Sequence, residues 1–147
     1  GKKTPSEITG VKIPKAEFET SLMENARKFS NMPIAELRDE GLRLLLGQNL
    51  HLEVIVPATL CYLTAQPFAG GDFEDGALIR TLFVRVEKEF WKKHPALFRL
   101  AIERLRQGRQ KLSAALASTT DEEQLSFLRE AEENYSLVEK EIDECEK

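Results

Sequence analysis

Apolar residues recur at spacings of three and four along nearly the whole chain, and no stretch of strand length alternates with period two. A helix returns a side chain to one face about every 3.6 residues and a strand every second residue, so this pattern predicts an all-α protein. Phe18, Leu22, Ala26 and Phe29 mark a first amphipathic helix. Pro33 suits the first turn of a second, whose inward face is Ile34, Leu37, Gly41, Leu44 and Leu45 and which ends near Gly47. Gly41 falls mid-helix, where glycine costs about 1 kcal/mol against alanine, and a close helix contact is the expected reason for it. Residues 50 to 65 are almost all apolar and predict a central buried helix, with Pro57 early enough to leave the ladder intact.

Asp72 is a candidate cap for a short helix running to about Val84, and another follows from Val86 to Lys93. Pro95 opens a longer one carrying Phe98, Ala101, Ile102, Leu105, Leu112 and Leu116 on one face, with a bend expected at Gly108. Thr120 and Glu123 form a capping-box pair ahead of a final helix whose stripe is Leu128, Ala131, Tyr135, Val138, Ile142 and Cys145. The short turn at 118 to 120 predicts an antiparallel pair. The expected architecture is thus a single-domain helical bundle over residues 16–147, ending in a long antiparallel hairpin over 96–145. Residues 1–15, interrupted by Pro5, Gly10 and Pro14, are expected to form an extended arm.

A chain of 147 residues is long enough to bury a core without staples. Its apolar runs are too short to cross a bilayer, and the polar, basic start lacks the apolar stretch of a signal peptide, so a soluble cytoplasmic protein is expected. Cys61 and Cys145 form no CxxC pair and lie far from both histidines, which predicts neither a disulfide framework nor a metal site. The net charge of −4 hides an uneven distribution. Residues 76 to 111 carry ten Lys/Arg against three Asp/Glu, and residues 121 to 147 carry three against eleven. Either the two segments lie side by side and neutralise each other, or an acidic face remains for a basic partner.

Catalytic chemistry finds little support. No phosphate-binding loop or strand-linked glycine fingerprint is present. Gly70-Gly71-Asp72-Phe73 resembles the signature of diguanylate cyclases, but those need strands around a hairpin turn, which this sequence lacks. His51 and His94 read as helix-boundary or surface residues, and no nucleophile, base and orienting group assemble around either. The expectation is no catalytic residue, no metal and no cofactor.

The stretch from Leu42 to Phe73 carries a further pattern. Leu42, Arg43, Leu45, Gly47 and Gln48 are followed by Val56-Pro57, then by Pro67, Phe68, Ala69, Gly71, Asp72 and Phe73, and later by Glu89-Phe90-Trp91 and His94-Pro95. In order and spacing this resembles the immunity proteins of bacterial contact-dependent growth inhibition (CDI) systems, over roughly residues 32 to 100. The resemblance implies a non-enzymatic protein that binds and neutralises a cognate CdiA C-terminal toxin domain, frequently a nuclease, and that recognises its own toxin with little cross-reaction.

Two surfaces are candidates for such a contact. On the last helix Leu137 falls about 80 degrees or more from the centre of the inward stripe and shares its face with Glu130, Glu133, Glu141 and Glu144. The other is the loop holding Asp72, Glu74 and Asp75, read alternatively as a capped helix start with Phe73 turned inward. Trp91, among Lys88, Lys92 and Lys93, is either a core edge or a contact residue. A competing function is a helical nucleic-acid-binding regulator using the basic segment 80–111, including Arg80, Arg85, Arg99, Arg104, Arg106 and Arg109. The acidic composition and the acidic final segment argue against it, and neither a membrane nor direct nucleic-acid contact is expected.

Overall fold

The computed structural model of the chain describes residues 3–13, 20–70 and 75–146, with backbone alone for 144–146. The described residues contain eight α-helices, a single turn of 3-10 helix and no strand. The helices are α1 (Pro5–Thr9), α2 (Ser21–Ser30), α3 (Arg38–Gly47), α4 (Leu52–Ala65), α5 (Ala77–Val84), α6 (Lys88–Lys93), α7 (Pro95–Ser118) and α8 (Glu122–Glu146).

The two long helices begin on strong local signals. Pro95 supplies the first residue of α7, where its missing N–H is not needed. The cap of α8 is Asp121 and not the Thr120/Glu123 pair: its Oδ1 accepts from the N–H groups of Glu123 (2.8 Å) and Gln124 (3.3 Å). A carboxylate at the positive end of a helix is the stronger cap, and it sits one residue closer to the first turn. The hairpin forms as expected, but α8 packs along α5 as extensively as along α7. Its stripe buries Ala131, Tyr135 and Val138 completely, with Leu128 and Ile142 at the margins. Cys145 lies outside the described side chains.

Gly108 has a different role from the bend expected of it. A Cβ at that position would stand 1.9 Å from the hydroxyl oxygen of Tyr135 and 2.7 Å from Cζ. The glycine is a slot through which the Tyr135 ring passes α7, letting the hydroxyl donate to the Pro67 carbonyl at 2.9 Å. Phe68 meets the same ring edge-on at 6.2 Å.

Helix α4 is central, packing on α1, α3 and α7, and buries Leu52, Ile55, Val56, Thr59, Leu60 and Leu63. It is not enclosed all round, as its apolar composition suggests. Glu53, Pro57 and Cys61, one turn apart, face solvent, so the hydrogen bond that Pro57 cannot donate is missing on the side where water replaces it. Its C-terminal carbonyls meet cations of α7: Arg104 donates to Leu60 (3.0 Å) and Lys111 to Thr64 (3.0 Å).

The N-terminal half departs from expectation in four places. Within the expected arm, Thr4 caps and Gly10 ends the five-residue α1, and Thr4, Pro5 and Ser6 are buried. So short a helix is unstable alone and is held by docking. Thr9 Oγ1 lies 2.7 Å from His51 Nδ1, and His51 Nε2 lies 2.9 Å from Ser30 Oγ. His51 is therefore a buried bracket at the start of α4 and not a surface residue. Ser30 is fully enclosed and His51 is 8% exposed. In α2, Ala26 and Phe29 are buried while Leu22 is exposed, and Phe18 lies outside the described residues. The single helix expected from Pro33 is broken: a 3-10 turn at Ile34–Glu36 precedes α3, whose first residue, Arg38, has φ 52. The close contact expected at Gly41 is present, since a Cβ there would lie 3.0 Å from Leu37 and 3.1 Å from the Phe29 ring.

Substituting Gly108→Ala should cost about 3 kcal/mol, because the methyl group and the Tyr135 ring cannot share the slot. Tyr135→Phe should cost about 1 to 2 kcal/mol by leaving the Pro67 carbonyl without its donor. Urea denaturation of both variants checks this, and a Gly108→Ala variant as stable as the parent would remove the steric argument.

Candidate partner-binding surface

The sides of α8 have separate uses. One flank is tied to α7: Arg109 forms ion pairs with Glu132 and Glu139, sits 5.7 Å above the Tyr135 ring and donates to Ser136 (3.3 Å). The Glu139 contact foremost, then Glu132, holds the guanidinium pKa above its ordinary value despite partial burial. Here the basic and acidic segments do neutralise each other. Arg109 is thereby committed to the fold, as are Arg104 and Lys111 at the end of α4.

The other flank clamps the start of α5. Asn134, which is 2% exposed, donates to the Asp75 carbonyl at 2.7 Å and accepts from Arg80 at 3.4 Å. Glu130 accepts from the Asp75 N–H at 3.3 Å. Gly76 (φ 86) passes so close to α8 that a Cβ would stand 3.0 Å from Asn134 and 3.3 Å from the Ala131 backbone. Nothing but glycine satisfies both the left-handed conformation and that approach. Glu130 is consequently half-buried and engaged, unlike the free surface residue expected from its helical phase.

Between the flanks lies the outward strip. Glu133, Leu137 and Glu141 stand one turn apart and are exposed, Leu137 at 38%. Neither Glu133 nor Glu141 enters an ion pair among the described residues. Glu144 continues the strip in sequence, but its side chain lies outside those described, as do Asp72 and Glu74 from the loop. Asp75 is described, and its contact with Glu130 brings the two candidate surfaces together at one end of α8.

Acidic groups converge there. Burial raises the Asp75 carboxyl above the usual range, and the nearby charges of Glu130 and Asp39 raise it further. Asp39 is fixed by two donors, the Tyr62 hydroxyl and the Gly70 N–H at 3.2 Å. Burial, with Asp39 next, pushes the Tyr62 phenol up to about 12. Neither Asp39 nor Asn134 stands out in the sequence. The signal for Asn134 is a polar residue beside Tyr135 on the inward stripe, where a buried amide needs partners from a neighbouring element.

Among the described residues no group of three His, Cys, Asp or Glu side chains is placed to hold a metal ion, and no helix is long and apolar enough to cross a membrane. The model of the family described as CDI immunity proteins matches residues 7–101, from α1 into the second turn of α7. No curated protein and no solved structure matches the chain.

Asp75→Asn should stabilise the protein at neutral pH. A folded-state pKa above the unfolded one means that the carboxylate costs nothing below the unfolded value of about 4, and that the cost grows as pH rises and is complete once pH exceeds the folded value. Thermal melts of parent and variant between pH 3.5 and 8 should diverge as pH rises, and parallel curves would contradict the assignment.

Proposed function

Since this chain belongs to the family of CDI immunity proteins, whose function is to neutralise a toxin, we propose that it acts in the cytoplasm on a nuclease toxin domain with a basic surface, using the outward strip of α8. The family match carries the immunity reading. The strip is supported by Leu137 exposed between Glu133 and Glu141, on a helix where Glu130, Glu132 and Glu139 are drawn into internal contacts.

The physical case is electrostatic. A nuclease must hold phosphates in a positively charged cleft, so an inhibitor offering carboxylates in their place associates quickly and occupies that cleft. Leu137 adds apolar area at the centre, where water is excluded and contacts contribute most. The Asp75–Glu130 end extends the same acidic surface. The competing nucleic-acid reading has less to stand on, because Arg104, Arg109 and Lys111 of its basic segment make contacts within the chain.

The test uses the cognate toxin domain. Purified toxin should degrade nucleic acid, and this protein should stop it and protect cells that express it, whereas an unrelated immunity protein should not. Glu133→Lys and Glu141→Lys should each slow association roughly tenfold at low ionic strength, with the difference shrinking as salt rises. Leu137→Ala should chiefly speed dissociation, costing about 1 to 2 kcal/mol. Rates measured across ionic strengths decide it, and a folded triple variant that binds like the parent would move the interface elsewhere.

A further inference from the structure

The imidazole of His51 joins three helices. Nδ1 lies 2.7 Å from the hydroxyl oxygen of Thr9, the last residue of α1, and Nε2 lies 2.9 Å from that of Ser30, the last residue of α2. The His51 carbonyl accepts from Val54 and Ile55, each at 2.9 Å, and so opens α4. Thr9 donates its own proton to the Pro5 carbonyl at 3.0 Å and accepts from the Val11 N–H at 3.2 Å. With that proton committed, Thr9 accepts from the ring, which places the neutral imidazole's hydrogen on Nδ1 and makes Nε2 the acceptor of the Ser30 hydroxyl. A second ring proton, on Nε2, would meet the Ser30 proton head-on. Ser30 is fully enclosed and has no other side-chain partner among the described residues, so the site is built for a neutral ring.

Backbone strain sharpens the dependence on these contacts. His51 has φ 54, as does Asn49 two residues before it. Non-glycine residues stay in the left-handed region where their surroundings hold them. Asn49 is held by the Arg85 carbonyl (3.1 Å) and the Glu87 N–H (2.8 Å), and His51 by its ring. Helix α1, five residues long, in turn depends on docking to be a helix at all.

We propose that His51 is a pH-sensitive latch on α1: protonation of the ring between neutral and mildly acidic pH sets Ser30 against it, and α1 comes free of α4. The latch does not depend on the immunity reading. Burial lowers the His51 pKa and is the sole cause of the shift. Of the charged side chains on the elements that meet the ring, Glu7 of α1, Glu24 and Lys28 of α2 and Glu53 of α4 are exposed, and Arg27 of α2 is half-buried. The charged contacts of α3 and α7 with α4 lie toward its far end, where Asp39 meets Tyr62, Arg104 meets Leu60 and Lys111 meets Thr64, about 13 Å or more along the helix from His51. Once released, the ring regains the ordinary value of about 6.5, so docking weakens as pH falls below that value and the loss is complete below the lower, docked value.

Ile8 and Gly10 donate to the carbonyls of Thr4 and Ser6, so their amide protection in the full-length protein, corrected for intrinsic exchange, reports docking of α1. The chain has two histidines, and ring NMR resolves both. Protection of Ile8 and Gly10 should fall about three- to tenfold between pH 7.5 and 5.5. The fall should begin near 6.5 and level off where the His51 ring, and not His94, titrates in the folded protein. It should also stay well below the protection of the Tyr135 and Val138 amides, as local release requires. His51→Gln, whose amide offers a donor and an acceptor without titrating, should flatten the dependence. Constant protection in the parent, a fall that survives in His51→Gln or follows His94, or opening of α1 only together with Tyr135 and Val138 would each overturn the latch. Should His51→Gln fail to fold, the parent decides by whether its levelling point matches the His51 ring titration.

Discussion

The passage of Tyr135 through the gap left by Gly108 is the contact on which the arrangement of the other helices depends. Its hydroxyl ends on the Pro67 carbonyl, in the turn that closes α4, and that turn is a junction. Phe68 and Ala69 accept from the N–H groups of Gly76 and Leu78 at the start of α5, each at 2.9 Å, and Gly70 donates to Asp39 of α3. One buried side chain of α8 is thus coupled to the ends of three other helices. Burial raises the phenol well above its ordinary pKa, so the hydroxyl stays a donor throughout the range in which the protein folds.

Fixing α8 in this way has a consequence for recognition. A surface helix held only by a hairpin turn would fray, and each binding event would have to order it again. Here Tyr135 anchors the middle of the helix, Asn134 and Glu130 tie one flank to α5, and Arg109 ties the other to α7. Side chains between those flanks are presented by a rigid backbone, which lowers the entropy lost on association.

The parts of this architecture that are legible in the sequence are those with length or a strong terminal signal. Residues 95 to 118 and 122 to 146 run through several turns, so period and direction are plain, and Pro95 marks a start without ambiguity. α1 is too short to show a period, and Pro5 and Gly10 look like interruptions when they are its first residue and its cap. Burial of His51 is equally hidden, because it depends on Ser30 and Thr9, far away in sequence. For the candidate surface, helical phase separates Glu133, Leu137 and Glu141 from the core stripe correctly. Phase cannot reveal that Glu130, on the same side by angle, meets the backbone of Asp75, since that depends on where α5 begins.

The strict division between the inward and outward sides of α8 also bears on how such a protein changes over generations. Residues 131, 135 and 138 answer to the core, while 133, 137 and 141 are exposed. Single-codon changes at the outward positions therefore move through sequence space without crossing a valley of misfolded ancestors. On the proposed surface a lineage would follow a drifting adversary one substitution at a time, and Glu130, bound to the chain's own backbone, is the position where that freedom ends.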